Sequence, residues 1–265
     1  MLMKSREYKY FLRKGKINKL LVHITRIIIL LFLIILWEYL SDKNIINSFI
    51  YSSPSKIVKT IMELYNANNL FSHIWVTVYE TGISFILATI LGTFVATLLW
   101  YSKFLYQVFD PYLTILNSLP KVALGPIIII LFGANINSII IMALLISLII
   151  TIANVYSGFI NTDGNRIKLM KSFGANKWQI FRYLIVPYNY HVIVNSLKIN
   201  VGMSLVGVIM GEFLVSKSGV GYLINYGSQI FNLNLVFSGI VILLIVSYLM
   251  YLIVSYIEKV LIKNN

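Results

Sequence analysis

Asp163-Gly-Asn-Arg166-Ile-Lys168-Leu-Met-Lys171-Ser-Phe173-Gly174-Ala175-Asn176-Lys177-Trp178-Gln179-Ile-Phe181-Arg182-Tyr-Leu-Ile-Val186-Pro187 is a polar, basic island between two apolar runs, each long enough to cross a bilayer. Its local pattern predicts two short helices and a hinge. The first helix covers Arg166 to Phe173. Gly174 ends it, because glycine alone takes left-handed angles without steric cost. Asn176 opens the second helix, and Gln179 stands where a capping box closes. Pro187 has no N–H for a helix to use and is expected to push Val186 out of helical angles. The product is a helical elbow on one face of a membrane, a shape suited to passing force to a soluble partner. On its pattern alone the stretch also fits an ordinary polar loop.

The rest of the chain says which setting applies. Charged residues make up 12% of its 265 residues and hydrophobic ones 58%. A soluble domain carries about 25% charged residues, so this is an integral membrane protein by composition. The mean hydropathy of +0.83 agrees. There is no cysteine, which excludes disulfides, thiolate metal sites and cysteine nucleophiles. His23, His73 and His191 lack ligand spacing, so no metal site is expected. The net charge of +13 is read as Lys and Arg in cytoplasmic loops and not as nucleic-acid binding.

From the island outward, the apolar runs predict six spans, at about 24–40, 74–100, 108–132, 136–159, 192–215 and 233–257. Residues 1–23 form a basic cytoplasmic segment, and 24–265 a single all-helical domain with the polar loop at 161–187. A cleaved signal is the alternative for the start, but no small-residue cleavage pair follows Leu40. Pro54 starts an amphipathic surface helix with Ile57, Ile61, Leu64 and Tyr65 on one face. In the second span, Gly82 and Gly92 are small enough to let another backbone approach. Pro120 and Pro126 interrupt the third. Residues 216–232 read as an outer loop. Six spans put both termini and the island on one side. That side then holds 16 of the 22 Lys and Arg and the other side 4, with Lys121 and Lys198 inside spans. The split places the island, the N-terminus and the C-terminus in the cytoplasm.

Several single positions carry expectations of their own. Trp178 and Phe181, three apart and so on one face, either wedge with Phe173 into a partner or pack against the chain's own spans. Lys121, deep in the third span, either lines a path and attracts an anion or is a device of the helix break beside Pro120. Glu212 is expected to brace an outer gate by a hydrogen bond. Lys198 is expected to snorkel to the interface. Glu38 and Glu80, near outer ends, are expected to be wet.

The spacing from Gly174 to Leu184-Ile-Val-Pro187 resembles the second half of the cytoplasmic loop signature of ATP-binding-cassette importer permeases. Asp110-Pro111, Ser118-Leu-Pro-Lys-Val-Ala-Leu-Gly-Pro126, Leu131-Phe-Gly133 and Gly211-Glu212 with Gly219-Val-Gly-Tyr222 are similar to the nitrate, sulfonate and taurine branch of that family. The likeness runs from about Pro54 to Lys259. It implies a type I importer permease fold with a coupling-helix loop, working as a homodimer in the cell membrane. Two copies of a separate ATPase would dock at Asp163, Lys168, Gly174, Ala175, Trp178, Phe181 and Pro187. An extracellular substrate-binding protein would deliver a small solute: a nitrate-, sulfonate- or taurine-like anion, or a vitamin or pyrimidine precursor. Lys121, Glu212, Gly219 and Gly221 would belong to the path or its gate. The chain carries no phosphate-binding loop of its own, so it is expected to be a transport subunit with no cofactor and no enzyme activity. One departure stands out. Lys168-Leu-Met170 occupies the family's Glu-Ala-Ala and reverses its charge, so either the ATPase has a compensating group, or other residues make the contact, or coupling is weaker. The rival readings are a secondary transporter or channel that works alone, and a membrane-embedded enzyme.

Overall fold

The computed structural model describes the backbone of residues 6–263 and the side chains of Asn18 and residues 20–260. The expectations for Lys4 and for the side chains of Arg6, Lys9, Arg13, Lys14, Lys16, Lys19 and Lys263 lie outside the described residues. All regular structure among the described residues is helical. Five helices among the described residues are long and apolar enough to cross a membrane, and a sixth candidate is a pair bent by 95°.

The chain divides into two compact units, residues 1–63 and 64–265. In the first, α1 (Arg6–Asp42) is followed by the single turn α2 (Ser48–Tyr51) and the start of α3 (Pro54–Asn66). Glu38 is half-buried, and it accepts from the Ser55 N–H at 2.9 Å and from the Ser55 hydroxyl, so it caps the first turn of α3. A carboxylate there also complements the positive end of the helix. Along α3, Ile57 is buried and Ile61 and Leu64 half-buried, while Tyr65 is exposed.

The second unit is built on α4 (Leu70–Tyr101), α7 (Ile136–Ile160) and α11 (Tyr190–Val215). Lipid tails are as apolar as leucine, so close backbone packing, not water exclusion, holds such helices together. Small residues supply it. A Cβ added to Gly207 would stand 2.4 Å from the Ala143 Cα, and one added to Gly211 3.0 Å from the Ile139 Cα. On α4, Gly92 meets Thr151, with 2.7 Å left for a Cβ. Gly82 has open space around it, so only one of the two glycines of α4 serves the expected close approach.

The third apolar run is not one rod. Lys103–Ser118 (α5) ends at Leu119-Pro120, a turn of 3-10 helix follows over Lys121–Leu124, and α6 (Gly125–Phe132) leaves at 95°. Pro120 makes the break. Pro126 does not, because it lies in the first turn of α6, where no intrahelical N–H is needed. Pro111 is carried inside α5.

Beyond α11, the stretch expected to be a loop contains the ten-residue helix α12 (Val220–Gln229), followed by α13 (Leu233–Lys263). Lys198 forms an ion pair with Glu258 of α13.

Candidate functional site

The elbow comprises α8 (Gly164–Ser172), α9 (Lys177–Ile180), a turn of π-helix at Phe181–Ile185 and α10 (Val186–Tyr188). Asp163 caps α8, accepting from the Asn165 N–H at 2.9 Å, and its other oxygen lies 3.8 Å from Arg166 Nε. Gly174 has φ +78°, with Gly174 N–H bonded to the Lys171 carbonyl and Ala175 N–H to the Met170 carbonyl. That pair of bonds is a Schellman stop, as a glycine at this point predicts. The capping box is present too: Gln179 N–H donates to Asn176 Oδ1 at 2.9 Å and Asn176 N–H to Gln179 Oε1 at 2.8 Å.

Pro187 behaves otherwise than expected. Val186 is helical, at φ −64° and ψ −50°. The preceding turn widens instead, with Val186 N–H bonded to the Phe181 carbonyl five residues back. A π turn makes room for the proline ring, which would otherwise strike the carbonyl four residues earlier. The elbow therefore runs into α11 with only a short break at Asn189, whose side-chain amide donates to the Thr162 hydroxyl at 2.6 Å and ties together the two ends of the island.

The aromatic residues divide. Phe181 is 9% exposed, packed with Ala96, Phe159 and Ile185, and its ring centroid is 5.2 Å from that of Trp100. Trp178 is 55% exposed and Phe173 79%. Lys168 is also exposed, and Ala175 is half-buried against the same cluster as Phe181. Phe181 thus fixes the elbow to its own spans, and Lys168, Phe173 and Trp178 form the outward face. Lys177 adds a second fastening, donating to the Tyr101 carbonyl at the end of α4 at 2.5 Å.

At the other ends of α4 and α11 lies a buried polar cluster. Glu212 is fully buried. Gly221 N–H donates to its Oε2 at 2.5 Å and the Thr77 hydroxyl to its Oε1 at 2.6 Å. Thr77 in turn accepts from Val220 N–H at 2.8 Å, and His73 Nδ1 accepts from Gly219 N–H at 3.0 Å. Three side chains of α4 and α11, His73, Thr77 and Glu212, thereby hold the first turn of α12, satisfying N–H groups that a helix start leaves unpaired. Gly219 (φ +108°) leaves no room for a Cβ, which would stand 2.4 Å from the Glu212 carboxyl. Glu80 is not wet. It is 1% exposed, its carboxyl group contacts that of Glu212, and its Oε2 makes no hydrogen bond among the described residues. Thr77, His73 and Glu80 have no sequence signal of their own; pairing α4 with α11 is what makes them part of this cluster.

Lys121 lies apart from both places. Its ammonium group donates to the Asn117 carbonyl at 3.1 Å, satisfying a C-terminal carbonyl of α5, and the residue lines an apolar cavity of about 180 Å³ with Leu113, Ile128 and Met142. Among the described residues no group of three or more His, Cys, Asp or Glu is placed to hold a metal.

Residues 88–263 match the family described as the binding-protein-dependent transport system inner membrane component. A candidate aliphatic sulfonates transport permease protein of Bacillus subtilis (strain 168) is 27% identical over 231 residues, covering 87% of this chain and 84% of that protein. The riboflavin transport system permease protein of Chloroflexus aurantiacus is 25% identical, covering 88% and 87%. The formylaminopyrimidine transport permease protein of Halalkalibacterium halodurans is 28% identical, covering 72% and 76%. In fold, the chain is similar to the methionine ABC transporter solved in an inward-facing conformation, with a TM-score of 0.64, 20% identity, and coverage of 76% of this chain and 97% of that one.

Proposed function

Because the chain belongs to the family of binding-protein-dependent transport system inner membrane components, we propose that two copies of it form the solute path of an ATP-driven importer and are moved through the Gly164–Tyr188 elbow. The family consists of membrane permeases, not enzymes, whose ATPase is a separate subunit and whose solute is brought by a binding protein. Two ATPases, one per elbow, follow from the two copies. The elbow, both termini and the ATPases share the cytoplasmic side, which the distribution of Lys and Arg supports. The solute is small and polar, a sulfonate-like anion or a riboflavin- or pyrimidine-like precursor, in keeping with the names of the relatives.

One observation carries this reading. The elbow is joined to α4 and α7 by Phe181 and Lys177, yet leaves Lys168, Phe173 and Trp178 uncovered. A helix pair rigid against the spans and bare on its far side transmits a push. Lys168 calls for an acidic group in the ATPase groove, the reverse of the family's usual pairing. Asp163, Gly174 and Pro187 shape the elbow, and Glu212, Gly219 and Gly221 keep the outer end shut. The test is copurification in mild detergent. An ATPase should accompany the wild-type chain and be lost from Lys168→Glu with membrane insertion unchanged. Solute movement by the purified chain without ATP would instead support a transporter that works alone.

A further inference from the structure

Between the inner halves of α7 and α11 lies a cleft of about 540 Å³. Asn154, Ser157 and Asn161 line it from one side and Asn195 and Ser196 from the other. The first three recur at spacings of three and four, so they share one face. No charged residue lines the cleft. The side chains of Asn154 and Asn195 make no hydrogen bond among the described residues. Asn154 stands six residues before the end of α7, about 9 Å along the helix. A second cleft of about 330 Å³, between α5 and α7, also reaches Ser157, so the two adjoin there.

Lipid tails offer amides nothing to bond, and polar groups at this depth face a water-filled space or the interior of a bundle. A volume of about 300–1,000 Å³ is that of a small-molecule site and far above the roughly 30 Å³ of one water molecule. We propose that this amide-lined cleft is the inner section of the solute path, taking a small polar solute by hydrogen bonds and without selecting its charge. The inference rests on the importer reading given above. An amide presents both N–H donors and a carbonyl acceptor, so it serves anions, cations and neutral solutes alike. A path must also release what it binds, which uncharged groups allow. The charged groups lie outside this cleft: Lys121 lines a separate apolar cavity, and Asp110 lines the second cleft.

The chain has no cysteine, so a single introduced one reports without background. Asn154→Cys and Asn195→Cys would be made in the complete transporter, in inverted membrane vesicles. Two membrane-impermeant methanethiosulfonates serve as probes, one bearing a sulfonate and one a trimethylammonium group. Both should label each variant, at rates within about threefold of each other, and ATP with vanadate should slow labelling at least tenfold by closing the inner section. Leu244→Cys, on an exposed apolar face of α13, should react only with the membrane-permeant N-ethylmaleimide. Labelling of the amide positions by N-ethylmaleimide alone would mean that lipid or a second copy covers the cleft. That result, a tenfold preference for one charge, or indifference to ATP and vanadate would each overturn the proposal. Ser157→Cys, nearly isosteric, repeats the test if an asparagine variant fails to insert. Copurification of the ATPase is scored separately for each variant, so a failed importer reading is distinguishable from a dry cleft.

Discussion

Lys177, at the start of α9, and Tyr101, at the end of α4, are joined twice: the lysine ammonium donates to the tyrosine carbonyl at 2.5 Å and lies 5.0 Å from the tyrosine ring centroid. The bond supplies a donor to a carbonyl that the end of α4 leaves unpaired, and it fixes the elbow to a spanning helix 76 residues away in sequence. Removing it should loosen the elbow without unfolding the spans. Lys177→Ala is expected to cost about 1 kcal/mol locally. Amide exchange over residues 164–188 should speed up several-fold while that of α7 and α11 stays unchanged. Unchanged exchange in the elbow would mean that the contact carries no restraint.

Trp178 and Phe181 should fail in different ways. Phe181→Ala empties part of a packed core and is expected to destabilise by about 3–5 kcal/mol, read as a lower melting temperature in detergent. Trp178→Ala changes an exposed face and should leave melting within about 0.5 kcal/mol of wild type. Its effect should appear as at least a tenfold loss of ATPase copurification. A Trp178 variant that melts early yet keeps its ATPase would reverse the two roles.

The start of α12 depends on Glu212 and on the absence of a side chain at Gly219. Gly219→Ala meets both an unfavourable φ and the Glu212 carboxyl, and should cost about 2 kcal/mol or more. Thr77→Val removes one donor to Glu212 and one acceptor for Val220 N–H, and should cost about 1–3 kcal/mol. Thermal melting checks both, and cross-linking of α12 to α4 should weaken in step. If Gly219→Ala melts like wild type, the turn adopts another conformation.

Helix contact can be separated from helix propensity at two glycines. Gly207→Ala places a methyl group against the Ala143 backbone and should cost about 1–3 kcal/mol by overpacking. Gly82→Ala meets open space and should be neutral or stabilise by about 0.4–1 kcal/mol, since alanine is the better helix former. Equal melting temperatures for the two variants would remove the close crossing of α7 and α11 as the source of the difference.

The sequence alone determined what closes over a few residues: the all-helical class, the apolar runs, the Gly174 stop and the Asn176–Gln179 box. Each is a bond or a length within one turn or one run, so each is written in consecutive residues. Tertiary structure decided the rest. Glu80 carries the same pattern whether wet or buried, and only the pairing of α4 with α11 sets it against Glu212. That pairing belongs to the helix trio held by Gly92, Gly207 and Gly211, whose partners lie on a different helix. Phe181 and Trp178 share one local face, and the spans behind them determine which is covered. Val186 keeps helical angles because the turn before it opens to take the proline ring. A side chain's surroundings come from helices distant in sequence, so backbone approach between helices, not local pattern, fixed which groups are buried and which stay exposed.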